Sequence, residues 1–381
     1  MNISSHIPIA VFQPFWCAFG NGAVIAVNPR QLAEVDAVGR YILTARDEQQ
    51  TTAMMLQTLI SQYGLQATEA TQTCQQIARL MQPNPAAAPA PALPATMPTT
   101  RTTDHRLTIN LLGVCIDFHS NCNDSLKMLH ALWDSAFHVS AQHSRISLRI
   151  DIIRDATAWH LLRDGQPVET IADLPSLKSA IMREALSGLH QTHDWAAVLH
   201  AAGVLINDKL VVLAGQSGSG KTTLAAALIA QGAHFFSDDC VPLRADRLLA
   251  CAAPGSLGIR QAALAGLPSA SEQWQPGALS GMPGDLRHHT TPRQMTTTRE
   301  AAVAALVFPN FSPDAPPWIE RLDASTSLRL LLSNGSGIGE LHLDRLASWL
   351  DWVLTTPAWS IRYGQTAQGL SYIADILAKS R

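Results

Sequence analysis

The residues best equipped for chemistry lie between positions 200 and 260. Gly215-Gln216-Ser217-Gly218-Ser219-Gly220-Lys221-Thr222 fits the spacing G-x-x-x-x-G-K-[ST] in full. Glycines at these places let successive backbone N–H groups turn inward around phosphate oxygens, and the helix start that follows adds partial positive charge. The expected nucleotide contacts are Gly215, Ser217, Gly218, Ser219, Gly220, Lys221, Thr222 and Thr223, with Lys221 on the β/γ-phosphates and the Thr222 hydroxyl at Mg²⁺. Downstream, HFFSDDC (234–240) is a short apolar run ending in Asp238 and Asp239. Neighbouring strand residues point to opposite sides, so one acid can hold a metal while the other faces an acceptor hydroxyl as a base. The competing reading is a pair of solvated carboxylates in a turn. His200 stands alone in an apolar stretch, where a histidine is more often part of the core than a ligand. Phosphoryl transfer also needs positive charge beyond Lys221, and Arg260, Arg287 and Arg293 are the cations that follow the acid pair.

These residues need elements to hold them. Leu210 to Ala214 reads as a buried strand running into the loop, and Thr223 to Gln231 as a helix stopped by Gly232. Residues 196–215 read as a hairpin turning at Asn207-Asp208, which puts His200 on the strand paired with the one entering the loop. GDLRHHTTPRQM (284–295) carries Arg287 and reads as a mobile active-site loop; His288-His289 reads as loop surface, with no third ligand in view. Strands are expected in 106–119, 145–153 and 157–165, helices at 124–137 and 174–190. Residues 300–381, including LHLDRLASWLDWVL (341–354), read as packing.

Composition bounds the rest. The chain has 381 residues, 47% apolar and 15% charged, enough to bury a large core over two or three domains. Lys plus Arg (27) nearly balances Asp plus Glu (30), a net charge of −3, so a basic nucleic-acid surface is not expected. The six cysteines (17, 74, 115, 122, 240, 251) have no CxxC pair and suit reduced thiols. The first Lys or Arg is Arg30, without the basic start of a secretory signal, and turn residues interrupt the apolar stretch before it. Neither membrane nor export is expected, which leaves the cytoplasm. PNPAAAPAPALPATMP (83–98), followed by TTRTTD, reads as an extended tether. It divides the chain into 1–82, a linker at 83–104, and 105–381, with a nucleotide core at about 196–300. In 1–82, VFQPFWCAF and AVIAVN flank Gly20-Asn21-Gly22 as a hairpin. Helices are expected in 36–46, 51–63, closed by Gly64, and 68–81, capped by Thr68. Two strands and three helices suggest a small winged helix.

With these motifs in hand, the front segment resembles the PqqD-like peptide-recognition domain of ribosomal-peptide modification. The features carrying the likeness are the hairpin ending in Val27-Asn28, GRYILTARD (39–47) and the TT-initiated helix running to QYGL (62–65). The resemblance implies capture of a leader peptide as a strand added beside the sheet. The order His200, Gly215 to Thr222, Asp238-Asp239 resembles the HPr kinase/phosphorylase family, whose α/β core is of the phosphoenolpyruvate carboxykinase type. PGSLGIR (254–260) and AWSIRYGQTAQGL (358–370) look like the same relatives. That resemblance implies Asp238 as base toward a serine, Asp239 as Mg²⁺ partner and His200 beside the phosphates. Thr222-Thr223 stands where HPr kinase has Ser-Glu, and its Pro-Gly-Arg-Asn stretch is absent, which favours a one-way kinase. Together they imply an ATP- and Mg²⁺-dependent kinase of Ser or Thr on a ribosomal precursor peptide, its leader held by residues 1–82. The alternatives are a small-molecule kinase and a non-catalytic, nucleotide-gated adaptor. The choice of ATP or GTP, and of monomer or homo-oligomer, stays open.

Overall fold

The computed structural model describes residues 11–28, 31–85, 105–133, 146–192, 195–253, 255–260, 263, 267, 275–277, 286–290, 299–336 and 343–379. They form a mixed α/β protein with two compact units, Met1–Ala92 with Glu340–Leu354, and Leu93–Gly339 with Thr355–Arg381.

The first unit begins β1 (Val11–Phe12), β2 (Phe15–Phe19), β3 (Gly22–Asn28) and β4 (Gln31–Val35). It continues with α1 (Ala37–Asp47), α2 (Thr52–Tyr63), α3 (Ala67–Leu80) and β5 (Asn84–Pro85). β2 and β3 form the expected hairpin, with Gly20 at φ +56° in the turn. β4 adds an antiparallel third strand that the two-strand expectation omitted. Gln31 and Glu34 interrupt its apolar residues and none of the five is fully buried, so it lacks the continuous apolar run that marks a strand in sequence. The Asp36 side chain caps α1, the Thr51 side chain caps α2, and Gly64 closes α2 in the left-handed region at φ +71°. Thr68 does not cap α3; that helix starts at Ala67, after Gln66, which makes no side-chain cap. Ile25, Ile42, Leu43, Leu59 and Ile77 fill the core between sheet and helices. Asn84 and Pro85, expected in the tether, pair with Phe12 and Val11. Residues 86–104 lie outside the described residues.

The second unit opens with β6 (His105–Leu111), β7 (Val114–Ser120), α4 (Asn123–Trp133), β8 (Ile146–Arg154), β9 (Trp159–Arg163), β10 (Gln166–Ile171) and α5 (Leu174–Thr192). The sheet runs β10-β9-β8-β7-β6, and Phe118, Trp133, Ile150, Ile181 and Leu189 pack α4 and α5 onto it. Then come β11 (Trp195–Leu199), β12 (Ala201–Ile206), β13 (Lys209–Ala214), α6 (Lys221–Ala230), β14 (His234–Ser237), β15 (Val241–Arg244) and β16 (Ala250–Cys251). The strands β17 (Leu257–Arg260), β18 (Gln275–Gly277), β19 (Leu286–Thr290), β20 (Glu300–Ala301), β21 (Val303–Phe311) and β22 (Trp318–Leu322) follow. The chain ends α7 (Ala324–Ser333), α8 (Leu343–Thr355), β23 (Ala358–Tyr363) and α9 (Thr366–Lys379).

The central sheet has the order β14-β12-β13-β21-β23-β22, with β13, β21 and β23 parallel. A second sheet runs β11-β15-β16-β20. α6 is apolar nearly all round, and Leu224, Ala225, Ala226, Leu228 and Ile229 are buried in the core that the sheet and α9 share. One helix joins the other unit. The 341–354 stretch read as packing in the later domain, yet α8 clusters with the first unit, where the Cys17 thiol donates to the Leu343 carbonyl at 3.9 Å. Among the described residues, no helix is long and apolar enough to cross a membrane.

Candidate active site

The loop after β13 has the conformation its glycines permit. Gly218 and Gly220 sit at φ +86° and +97°, a region costly for any side chain. Gly220 is the N-cap of α6 and makes no side-chain cap, so the first N–H groups of the helix face the loop. A Cβ at Gly220 would lie 2.6 Å from the Tyr363 hydroxyl and 3.2 Å from Phe311 Cβ. The loop is pinned from β21, where Phe311 N donates to the Ser219 carbonyl at 3.0 Å. Lys221 is buried, and its Nζ donates to the carbonyls of Gly215 (2.6 Å) and Gln216 (3.1 Å). Burial pushes its pKa down, against the pull of Asp239 and Asp238. Ser219 Oγ is buried without a hydrogen-bond partner among the described residues.

His200 and the acid pair meet at a corner where the chain twice changes sheets. β11 belongs to the second sheet and β12 to the central one, and His200 is the single residue between them. The chain returns the other way from β14 to β15 through Asp238-Asp239-Cys240. Leu199 pairs with Val241 and Gly203 with Ser237, so the two crossings lie side by side. His200 is therefore at the junction between two strands, not on the strand paired with β13. Its N–H donates to Ser336 Oγ at 2.9 Å, and its ring hydrogen-bonds the main chain of Asp239. Burial, the largest influence, holds the imidazole below its usual pKa, so the ring is neutral near pH 7.

Asp239 takes the left-handed conformation, φ +61°, which sends the two carboxylates to different surroundings. Asp238 is buried. Its Oδ1 accepts from Thr222 Oγ1 at 3.1 Å and its Oδ2 from Gly258 N, also at 3.1 Å. Burial first, and the Asp239 charge second, push the Asp238 carboxyl up to about 7. The Asp239 side chain is 35% exposed and lies 3.5 Å from Lys178 Nζ on α5. The Thr222 hydroxyl thus meets Asp238, whereas the sequence reading coupled it to Asp239.

Arg260 and Arg287 fall on neighbouring strands, with Ile259 opposite Arg287 and Arg260 opposite Leu286. Arg287, His288 and His289 belong to β19, so this part of the expected loop is a strand. Arg293 lies outside the described residues. Lys178, Gly258, Ser336 and Tyr363 reach the site without having been singled out. Only Gly258 and Tyr363 carried a signal, since both lie in stretches that resembled the kinase relatives. Among the described residues, no group of three or more His, Cys, Asp and Glu could hold a metal unaided. The Thr222 hydroxyl beside one carboxylate is a pair of hard oxygen donors, which suits Mg²⁺ sharing its remaining positions with phosphate oxygens and water.

No protein-family model matches the chain, and no curated protein does. Among solved structures it is similar to the Hpr(Ser) kinase/phosphatase from Coxiella burnetii, at 14% identity and a TM-score of 0.25. The match covers 48% of this chain and 88% of that one. So distant a likeness carries no argument, and function rests on the site's own geometry.

Proposed function

We propose that the chain is an ATP- and Mg²⁺-dependent kinase acting on a Ser or Thr hydroxyl of a ribosomally made precursor peptide. The observation that carries this reading is the glycine-rich loop after β13 meeting an acid corner. Lys221 and the start of α6 face the loop, and the Thr222 hydroxyl is bonded to a buried Asp238 next to a more exposed Asp239. Loop N–H groups and Lys221 would bind and orient the nucleotide phosphates. Thr222 and Asp238 would hold Mg²⁺, which when bound neutralises charge on the β- and γ-phosphates. This reverses the roles read from sequence, because the buried acid is the one bonded to Thr222. Asp239 then faces the acceptor. As the acceptor oxygen bonds to the γ-phosphorus, its proton passes to the Asp239 carboxylate and the bridging oxygen leaves with ADP. Neutral His200 would position Asp239 through its main-chain hydrogen bond.

Residues 1–82 would hold the leader peptide. The support is an antiparallel three-stranded sheet with β4 at an edge, where an added strand can pair. Tethered capture raises the local concentration of the acceptor, so a weak grip at the active site suffices. The test is mass spectrometry of a precursor peptide encoded beside this chain, after incubation with ATP and Mg²⁺. Added phosphate on Ser or Thr supports the reading, and phosphate found only on a small-molecule hydroxyl would replace it.

A further inference from the structure

Lys178 comes from α5, 61 residues before Asp239, and no motif marks it. Its side chain is only 15% exposed, and its Nζ lies 3.5 Å from Asp239 Oδ2. Its charge is felt at His200 and at Asp238 too, as is the charge of Asp239. The ammonium therefore sits on the Asp239 carboxylate, within electrostatic range of the groups that Lys221 influences from the loop. A solvated lysine on a helix face would be mostly exposed. The site's other described lysine, Lys221, already bonds two loop carbonyls.

We infer that Lys178 is the second lysine of the phosphoryl-transfer site, resting on Asp239 and turning its ammonium to the phosphoryl group as it moves. This rests on the kinase reading above. A lysine suits the part because its ammonium is a point charge with several donors on a flexible stem. It can exchange one anion for another without a fixed fork geometry. The charge matters most where negative charge gathers on the oxygens of the moving group, in a partly buried corner.

The experiment compares binding of Mg·ADP with binding of Mg·ADP plus fluoroaluminate, a mimic of the group in flight, to the full chain. Wild type is expected to bind the second more tightly by at least about 10²-fold. Lys178→Met nearly preserves side-chain length and should keep the Mg·ADP affinity while losing about 10-fold or more of that gain. Lys178→Arg should retain the gain, which a role confined to packing does not require. An equal gain in wild type and Lys178→Met would overturn the inference and leave the kinase reading standing, as would equal losses in the Met and Arg variants. Mg·ADP bound with no gain in wild type would also overturn it. No nucleotide binding by wild type would instead defeat the kinase reading itself.

Discussion

Replacing Asp238 with Asn should stabilise the protein, and more so as pH rises. Asp238 is buried with its carboxyl pushed from 3.8 to about 7, by burial first and by Asp239 second. Between these values the native state holds a proton that the unfolded chain has lost. Native protein then binds more protons than unfolded, so stability falls as pH rises through the window. Three pH units at about 1.4 kcal/mol each give a cost on the order of 4 kcal/mol above pH 7, and on the order of 1 kcal/mol near pH 4.5. Asn keeps the shape without the charge. Its amide oxygen can accept from Gly258 N and its amide N–H can donate to Thr222 Oγ1, so both contacts survive. At roughly 2 °C per kcal/mol for a chain of this size, the variant should melt several degrees above wild type at pH 7.5, and within about 2–3 °C of it at pH 4.5. Scanning calorimetry in EDTA at both pH values reads the difference. A pH-independent gap, or a less stable variant at pH 7.5, would refute the reasoning. The physical meaning is a site kept charged at the expense of stability.

On the proposed roles, substitutions at the same corner should separate the two acids functionally. Asp238→Asn should raise the Mg²⁺ needed for half-maximal transfer, and Asp239→Asn should cut the rate at saturating Mg²⁺ by roughly 10²–10⁴-fold. Mg²⁺ titrations at fixed ATP distinguish this from the opposite assignment. Gly220→Ala should weaken ATP binding at least about 10-fold, because its Cβ would meet Tyr363 at 2.6 Å at a φ of +97°. Gly218→Ala carries only the backbone strain, since nothing lies within 4 Å there, and calorimetric titration should rank it milder. In the first unit Gly39→Ala should destabilise although alanine favours helix, because the new Cβ would sit 2.6 Å from Val35 Cβ. A raised urea midpoint would show that β4 and α1 have room.

Much of the site was legible because it is local in sequence. The glycine-rich loop, its strand and its helix follow one another from Leu210 to Ala230, and glycine spacing alone announces them. The acid pair was legible as a pair, but its division of labour was not. Which acid turns inward depends on the left-handed backbone at Asp239 and on the Gly258 N–H arriving from a later strand. His200 was placed on the wrong feature for a related reason. Apolar runs on either side of it look like one strand, while pairing sends β11 and β12 to different sheets. Lys178 could not be found, since only folding brings α5 beside Asp239. In the first unit, apolar spacing and caps gave the helices to within a residue or two, whereas the short edge strand β4 and the membership of α8 depend on tertiary pairing.

The central claim is that residues 215–222 hold nucleotide phosphates through Lys221. Calorimetric titration of Mg·ATP into the full chain and into Lys221→Ala tests it most directly. Saturable binding by wild type, weakened about 10–100-fold by the loss of one charge-assisted contact, is the expected result. Absence of binding by wild type, or equal affinity in the two proteins, would contradict it.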